Sequence, residues 1–339
     1  MTFTQKDIQL MQPKMSISHA AEFLNVTGQA VHKQLKLKNI VCPKLGNKLY
    51  LTFAEAKQLF NISFDAKVIV GQIVKGGTGK TTSIESIASC ANTYGARILK
   101  IDADPQGNLT DACGIDAEEK PVLIDVIEDE SLKIQDIIVN VSEGVDLIPS
   151  RIENVVLDNV IVNKRLPLDR FYEDLLEPII SNYDFIFIDC PPTMGQAVAA
   201  ASLCADIILA PLNPDKFSAK GLKILKREVD TLNRTFKRNI AYKVFLNKFS
   251  SKTILSDKAI VSLISDPELE GRILQTTVQF SQEIPNITDN NKNLFSTLKS
   301  SPTRDDFDRL TRELLGITPA HAKKISDDIH TAETEETAA

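Results

Sequence analysis

Lys75-Gly76-Gly77-Thr78-Gly79-Lys80-Thr81-Thr82 follows the apolar run Val68-Ile69-Val70-Gly71-Gln72-Ile73-Val74 and precedes a helix-forming stretch, Ser83–Tyr94. A strand, a glycine-rich turn and a helix in that order form an anion cradle. Glycine lets backbone N–H groups face a phosphate without a Cβ clash, and the helix N-terminus adds partial positive charge. Gly76, Gly77, Thr78, Gly79, Lys80, Thr81 and Thr82 are therefore the expected nucleotide-binding residues. Lys80 would neutralise the β- and γ-phosphates of ATP, and the Thr81 hydroxyl would coordinate Mg2+.

Working outward, apolar runs recur at Arg97–Ile101, Val145–Ile148, Phe185–Ile188, Ile207–Ala210 and Tyr242–Leu246, separated by amphipathic stretches such as Ala219–Arg234. Unbroken apolar strands alternating with helices predict an α/β fold, a doubly wound and mostly parallel sheet with ligands at the strands' carboxyl ends. Two of these ends carry carboxylates. Asp102-Ala103-Asp104-Pro105-Gln106-Gly107-Asn108 follows the second run, and Asp189-Cys190-Pro191-Pro192 follows Phe185–Ile188. The apolar run ending in Asp189 has the form of a Walker B strand that delivers its carboxylate to Mg2+.

The loop departs from the ordinary P-loop, because Val74 stands where that pattern requires glycine, while Lys75 adds a lysine five residues before Lys80. With Asp102–Asn108 and Asp189–Pro192, it resembles the deviant Walker A motif of the ParA/MinD ATPases over residues 67–316. The resemblance implies a homodimer sandwiching ATP, with Lys75 acting in trans on the partner's phosphates. It makes Lys75, Lys80 and Asp104 catalytic, with Asp104 orienting the attacking water, and assigns Thr81, Asp102 and Asp189 to the metal. For the base, Asn247 at the end of Tyr242–Leu246 is a candidate. The stretch Pro211-Leu212-Asn213-Pro214-Asp215 resembles a loop packed on the purine; Asp215 reads equally well as a solvated acid.

Residues 1–66 hold eight lysines against four acids, in a chain of net charge −6. Within them Ser18 is expected to cap a first helix, Asn25-Val26-Thr27 to turn, and Gly28–Leu37 to form a second helix with Val31 and Leu35 inward. Gln29, His32, Lys33 and Lys36 then point outward, and Leu45–Tyr50, with Lys48, suggests a hairpin before a third helix at Thr52–Phe60. This resembles a MerR-like winged helix-turn-helix, which makes those five residues DNA-binding candidates. A two-helix corner used for dimer support is the alternative. The expected organisation is an N-terminal module at 1–66, an ATPase domain at 67–318 and a polar acidic tail at 319–339.

Cysteines at 42, 90, 113, 190 and 204 form no CxxC pair, and no apolar run reaches the ~18–20 residues of a bilayer span. Disulfide, zinc and membrane roles are disfavoured, and a soluble cytoplasmic protein is expected. The stretch 276–285 lacks the arginines with which many ParA proteins bind DNA nonspecifically, leaving Lys292, Lys299, Arg304 and Arg309 as substitutes. The leading expectation is a plasmid or chromosome partitioning ATPase, nucleoid-associated when ATP-bound and switched off by a ParB-like centromere-binding protein. A nucleotide-modulated repressor and a MinD-like positioning ATPase are the alternatives.

Overall fold

The central element is a seven-stranded sheet in the order β10-β9-β4-β8-β5-β7-β6. Its strands are β4 (Lys67–Gly71), β5 (Ile98–Asp102), β6 (Val139–Ser142), β7 (Val145–Ile148), β8 (Phe185–Asp189), β9 (Ile207–Leu212) and β10 (Ala241–Leu246). All neighbours run parallel except β6, which lies antiparallel on β7 at the edge. The computed structural model describes residues 11–250, 260, 261, 263, 265–288, 290 and 292–318. The acidic tail and the start of the N-terminal module thus lie outside the described residues.

Apolar periodicity found every strand of this sheet except β6. Val68–Val70, Leu99 and Phe185–Ile188 are buried, as strands covered on both faces must be. Two ends differ from expectation. The first strand stops at Gly71, not Val74, because the chain turns there: Lys75 N–H donates to the Ile73 carbonyl at 2.8 Å. Gly71 is required at that point, since a Cβ would lie 2.8 Å from Ile84 of the following helix. At the other end β9 runs on through Pro211, which was expected in a loop. Pro211 shares the orientation of Leu209, the last residue of β9 paired to β4, so its missing N–H breaks no ladder bond.

Ahead of the sheet lie helices Ile17–Leu24, Gly28–Leu37 and Phe53–Phe60 and a small sheet of β1 (Met15–Ser16), β2 (Lys44–Leu45) and β3 (Lys48–Leu51). The second helix has the expected bounds, with Val31 and Leu35 buried, and Gln34 buried beside them. The first is capped by Ser16, not Ser18; the Ser16 hydroxyl accepts from His19 N–H at 3.1 Å. Pairing of Met15 and Ser16 with Leu51 and Tyr50 keeps Ser16 extended, so the helix starts one residue later and Ser18 falls inside it.

These N-terminal elements share one core with the ATPase body. Phe23 packs edge-on against Tyr94, at 4.8 Å between ring centroids, and against Phe60 at 5.4 Å. Each such aromatic pair contributes ~0.5–1.5 kcal/mol beyond the burial itself. Below the rings the Tyr94 hydroxyl donates to Asp308 at 2.6 Å, and His19 Nε2 lies 3.2 Å from the same carboxylate. Residue 66 therefore marks a connection, not a break in packing. Arg304 belongs to the same junction: its buried guanidinium donates to the carbonyls of Lys14, Leu294 and Thr297. That removes Arg304 from the candidate DNA surface. Lys299 and Arg309 are exposed, with Arg309 paired to Asp306.

Candidate nucleotide-phosphate site

Register brings the carboxylates together. Gly71 of β4 pairs with Asp189 of β8, and Asp189 pairs with Asp102 of β5, at the carboxyl edge of three adjacent strands. From the end of β4 the chain turns through Gly77 (φ 73°) and Gly79 (φ 90°) into the helix Lys80–Thr93. Among the described residues no side chain caps this helix. Its first N–H groups thus lack a side-chain acceptor and are available to an anion.

Gly76, Gly77, Gly79, Lys80, Thr81, Thr82 and Asp104 line a cavity of about 720 Å³. Its far wall includes Ile284, Ile287 and the exposed Lys292, a residue expected on a DNA surface. The Thr81 hydroxyl donates to Asp189 Oδ2 at 2.6 Å, whereas the buried Oδ1 has no hydrogen-bond partner among the described residues. An open carboxylate oxygen beside a threonine hydroxyl fits a hydrated magnesium ion. No group of three His, Cys, Asp or Glu side chains among the described residues is arranged to hold a metal. Coordination would therefore come chiefly from phosphate and water, as is usual for this ion.

The two loop aspartates differ. Asp102 accepts from the Thr110 N–H (2.8 Å) and hydroxyl (2.7 Å) through Oδ2, and from Asp104 N–H through Oδ1. Its carboxylate is committed to bracing the loop that carries Asp104, not open toward a metal. Asp104 is nearly buried, faces the cavity, and accepts one bond from Gln106 N–H at 3.0 Å.

Burial, with the Asp102 charge next, pushes Asp189 up to about 8, against the pull of Thr81 and Lys80. Burial likewise pushes Asp102 up to about 6, opposed by its bonds from Thr110. From about pH 4 to 8 the folded, ligand-free chain thus holds a proton on Asp189 that the unfolded chain has released. Stability must then fall as pH rises through that window. Asp189→Asn, which mimics the protonated form, is expected to melt higher than wild type at pH 8 and to flatten the pH dependence of melting between 6 and 8. A slope equal to wild type by differential scanning fluorimetry would reject this assignment.

Lys75 and Asp215 meet each other, and neither is among the residues lining that cavity. Lys75 Nζ lies 2.6 Å from Asp215 Oδ2 and 3.3 Å from the Ser218 hydroxyl. Asp215 Oδ1 also caps the helix Lys216–Phe236 by accepting from Ser218 N–H. Asn247 is likewise committed within the chain. Its Nδ2 donates to the Thr78 carbonyl at 2.8 Å and its Oδ1 accepts from Lys248 N–H, so both ends of the amide are engaged within the chain. A Cβ on Gly79 would lie 2.4 Å from that amide.

Sequence reasoning missed two further braces: Lys248 Nζ donates to the Gly77 carbonyl at 2.8 Å and Asn213 Nδ2 at 3.3 Å. Neither sits in a motif that signals the role. Among the DNA-binding candidates Gln29, His32, Lys36 and Lys48 are exposed and Lys33 is half-buried.

A family model described as an AAA domain (AAA_31) matches residues 66–242. A ParA family protein of Chlamydia muridarum is 31% identical over 255 residues, covering 74% of this chain and 97% of that protein. The chain spans 63% of the length of two uncharacterized Mycobacterium tuberculosis relatives, at 28% identity. Two solved structures share the fold. A putative plasmid partition protein of Borrelia burgdorferi bound to AMPPNP superposes with TM-score 0.62, 21% identity, over 74% of this chain and 99% of that one. Cobyrinic acid a,c-diamide synthase of Mycobacterium smegmatis, with an ATP analog and magnesium, gives 0.63 and 21%, over 74% and 94%.

Proposed function

This chain belongs to the ParA family of P-loop ATPases, and from that premise we propose that it is a DNA-partitioning ATPase whose ATP-bound dimer holds DNA. The carrying observation is the convergence of Lys80, Thr81 and Asp104 on one cavity, with Asp189 bonded to Thr81 behind it and the extra lysine Lys75 at the start of the same loop. ATP is the substrate, consistent with the nucleotide analogues in the two solved structures of this fold.

In this reading the N–H groups from Gly76 to Thr82 bind the phosphates and Lys80 offsets their charge. Thr81 and Asp189 would hold a magnesium ion, which supplies further charge neutralisation. Asp104 orients water, and Asp102 fixes Asp104 through the loop. Lys75 reaches the phosphates of a second subunit, where another ammonium stabilises charge as it spreads. The exposed face of Gly28–Leu37, with Lys48 on the hairpin, is assigned to an operator as a winged helix-turn-helix. A ParB-like centromere-binding protein would stimulate hydrolysis and release the DNA. No described helix is long and apolar enough to cross a membrane. In this reading the protein works in the cytoplasm and associates with the nucleoid when ATP-bound.

Binding to labelled random-sequence duplex, with and without ATP, tests the reading. Retention that requires ATP is expected. Strict dependence on one operator sequence, with no need for ATP, would replace partitioning with a nucleotide-modulated repressor.

A further inference from the structure

Helix Lys216–Phe236 carries a charge pattern that the phosphate site does not use. Residues 216–238 contain eight lysines and arginines and only two acids, in a chain whose net charge is −6. At ~100° per residue, Leu222, Leu225, Val229 and Leu232 share one side of the helix, and all four are buried. Lys220, Lys223, Arg227 and Arg234 fall within an arc of about 60° on the opposite side, and all four are exposed. Two neighbouring cations are neutralised: Lys226 pairs with Glu268 and Arg238 with Glu173. The four in the stripe form no ion pair with a carboxylate among the described residues.

The stripe runs about 21 Å at 1.5 Å per residue, enough to face several phosphates of a duplex with one charge per ~1.7 Å. No large apolar side chain is exposed on this helix among the described residues. Protein interfaces centre on apolar and aromatic groups and are depleted in lysine. A polyanion needs no such centre. The helix is also tied to the nucleotide loop: its cap is Asp215, which holds Lys75, and Gly221 rests against Ile73 and the Val74 carbonyl.

We propose that Lys220, Lys223, Arg227 and Arg234 form a sequence-independent surface for the phosphate backbone of duplex DNA. This surface supplies the charge that the stretch 276–285 lacks. The inference rests on the reading that the ATP-bound protein holds DNA.

The test is fluorescence polarisation of the full chain on a labelled random duplex with Mg-ATP, across a salt series. Changing all four residues to Gln is expected to weaken binding at least ~10-fold and to reduce the slope of log affinity against log salt by about 3–4. Turnover in the absence of DNA should not change. The charge-keeping pair Lys220→Arg and Lys223→Arg should bind as wild type. Wild-type affinity and slope in the fourfold variant would overturn the surface and spare the partitioning reading. Loss of binding in the charge-keeping pair would equally overturn it, since charge would then not be the cause. Wild-type protein that ignores random duplex in ATP would overturn the partitioning reading itself.

Discussion

Asp104→Ala is expected to bind Mg-ATP within a few-fold of wild type yet hydrolyse it at least ~10²-fold more slowly, the scale of a lost positioned acid or base. Asp104 shares a cavity with Lys80 and Thr81, and among the described residues only the Gln106 N–H bonds its carboxylate. The remaining lone pairs can therefore accept from a water aimed at a phosphate bound on the loop. Removing the side chain leaves the phosphate-binding N–H groups, Lys80 and Thr81 in place, so affinity should survive while attack does not. The ATP state should accumulate, visible as a persistent dimer in sedimentation. Asp104→Asn keeps the bond from Gln106 N–H and should be equally slow, which separates chemistry from loop geometry. Turnover at the wild-type rate in single-turnover assays would reject Asp104 as the water-positioning group.

Asp102 makes the contrast. Three donors from Thr110 and Asp104 already occupy its carboxylate. Asp102→Ala should therefore act through the loop and leave Thr110 and Asp104 N–H without their acceptor. By resemblance Asp104 was expected to orient water and Asp102 to serve the metal. The fold of the loop over Thr110 instead engages Asp102 as a brace.

That distinction marks the limit of what the sequence made legible. Buried parallel strands announce themselves by unbroken apolar runs, and glycine-rich turns by composition, so the sheet and the phosphate cradle could be read directly. Both are local signals. Arg304 looked like a surface cation because nothing near it in sequence reveals that three carbonyls, one of them 290 residues away, receive its guanidinium. Asn247, read as a base candidate, also braces the phosphate loop through the Thr78 carbonyl, 169 residues upstream, a contact that no local signal reveals. Lys100 sits inside an apolar strand and is fully buried against Glu85 of the phosphate-loop helix, a pairing that strand periodicity cannot indicate. The shared core of Phe23, Phe60 and Tyr94 was invisible for the same reason. Aromatic residues in two expected domains do not say that they face each other.

Lys75→Ala should retain ATP binding and lose the ATP-dependent dimer, and its pairing with Asp215 sharpens that expectation into a cycle. In the single chain Lys75 Nζ is held at 2.6 Å by Asp215, with side-chain exposures of 21% and 34%. A partly exposed pair of this kind contributes only ~0–1 kcal/mol, so releasing Lys75 toward a second subunit costs little beside a new contact with phosphate. Asp215→Asn is the informative partner substitution, because asparagine still caps the helix through Ser218 N–H while losing the charge that holds Lys75. It should bring dimerisation to lower ATP concentration, by up to ~5-fold, the factor corresponding to about 1 kcal/mol. With both residues changed, the chain should behave like Lys75→Ala alone, because Asp215 then has no lysine to restrain. If Asp215→Asn instead abolishes the dimer as completely as Lys75→Ala, the ion pair is part of the assembled interface. Lys75 would then act within its own subunit, and the cross-dimer role would fall.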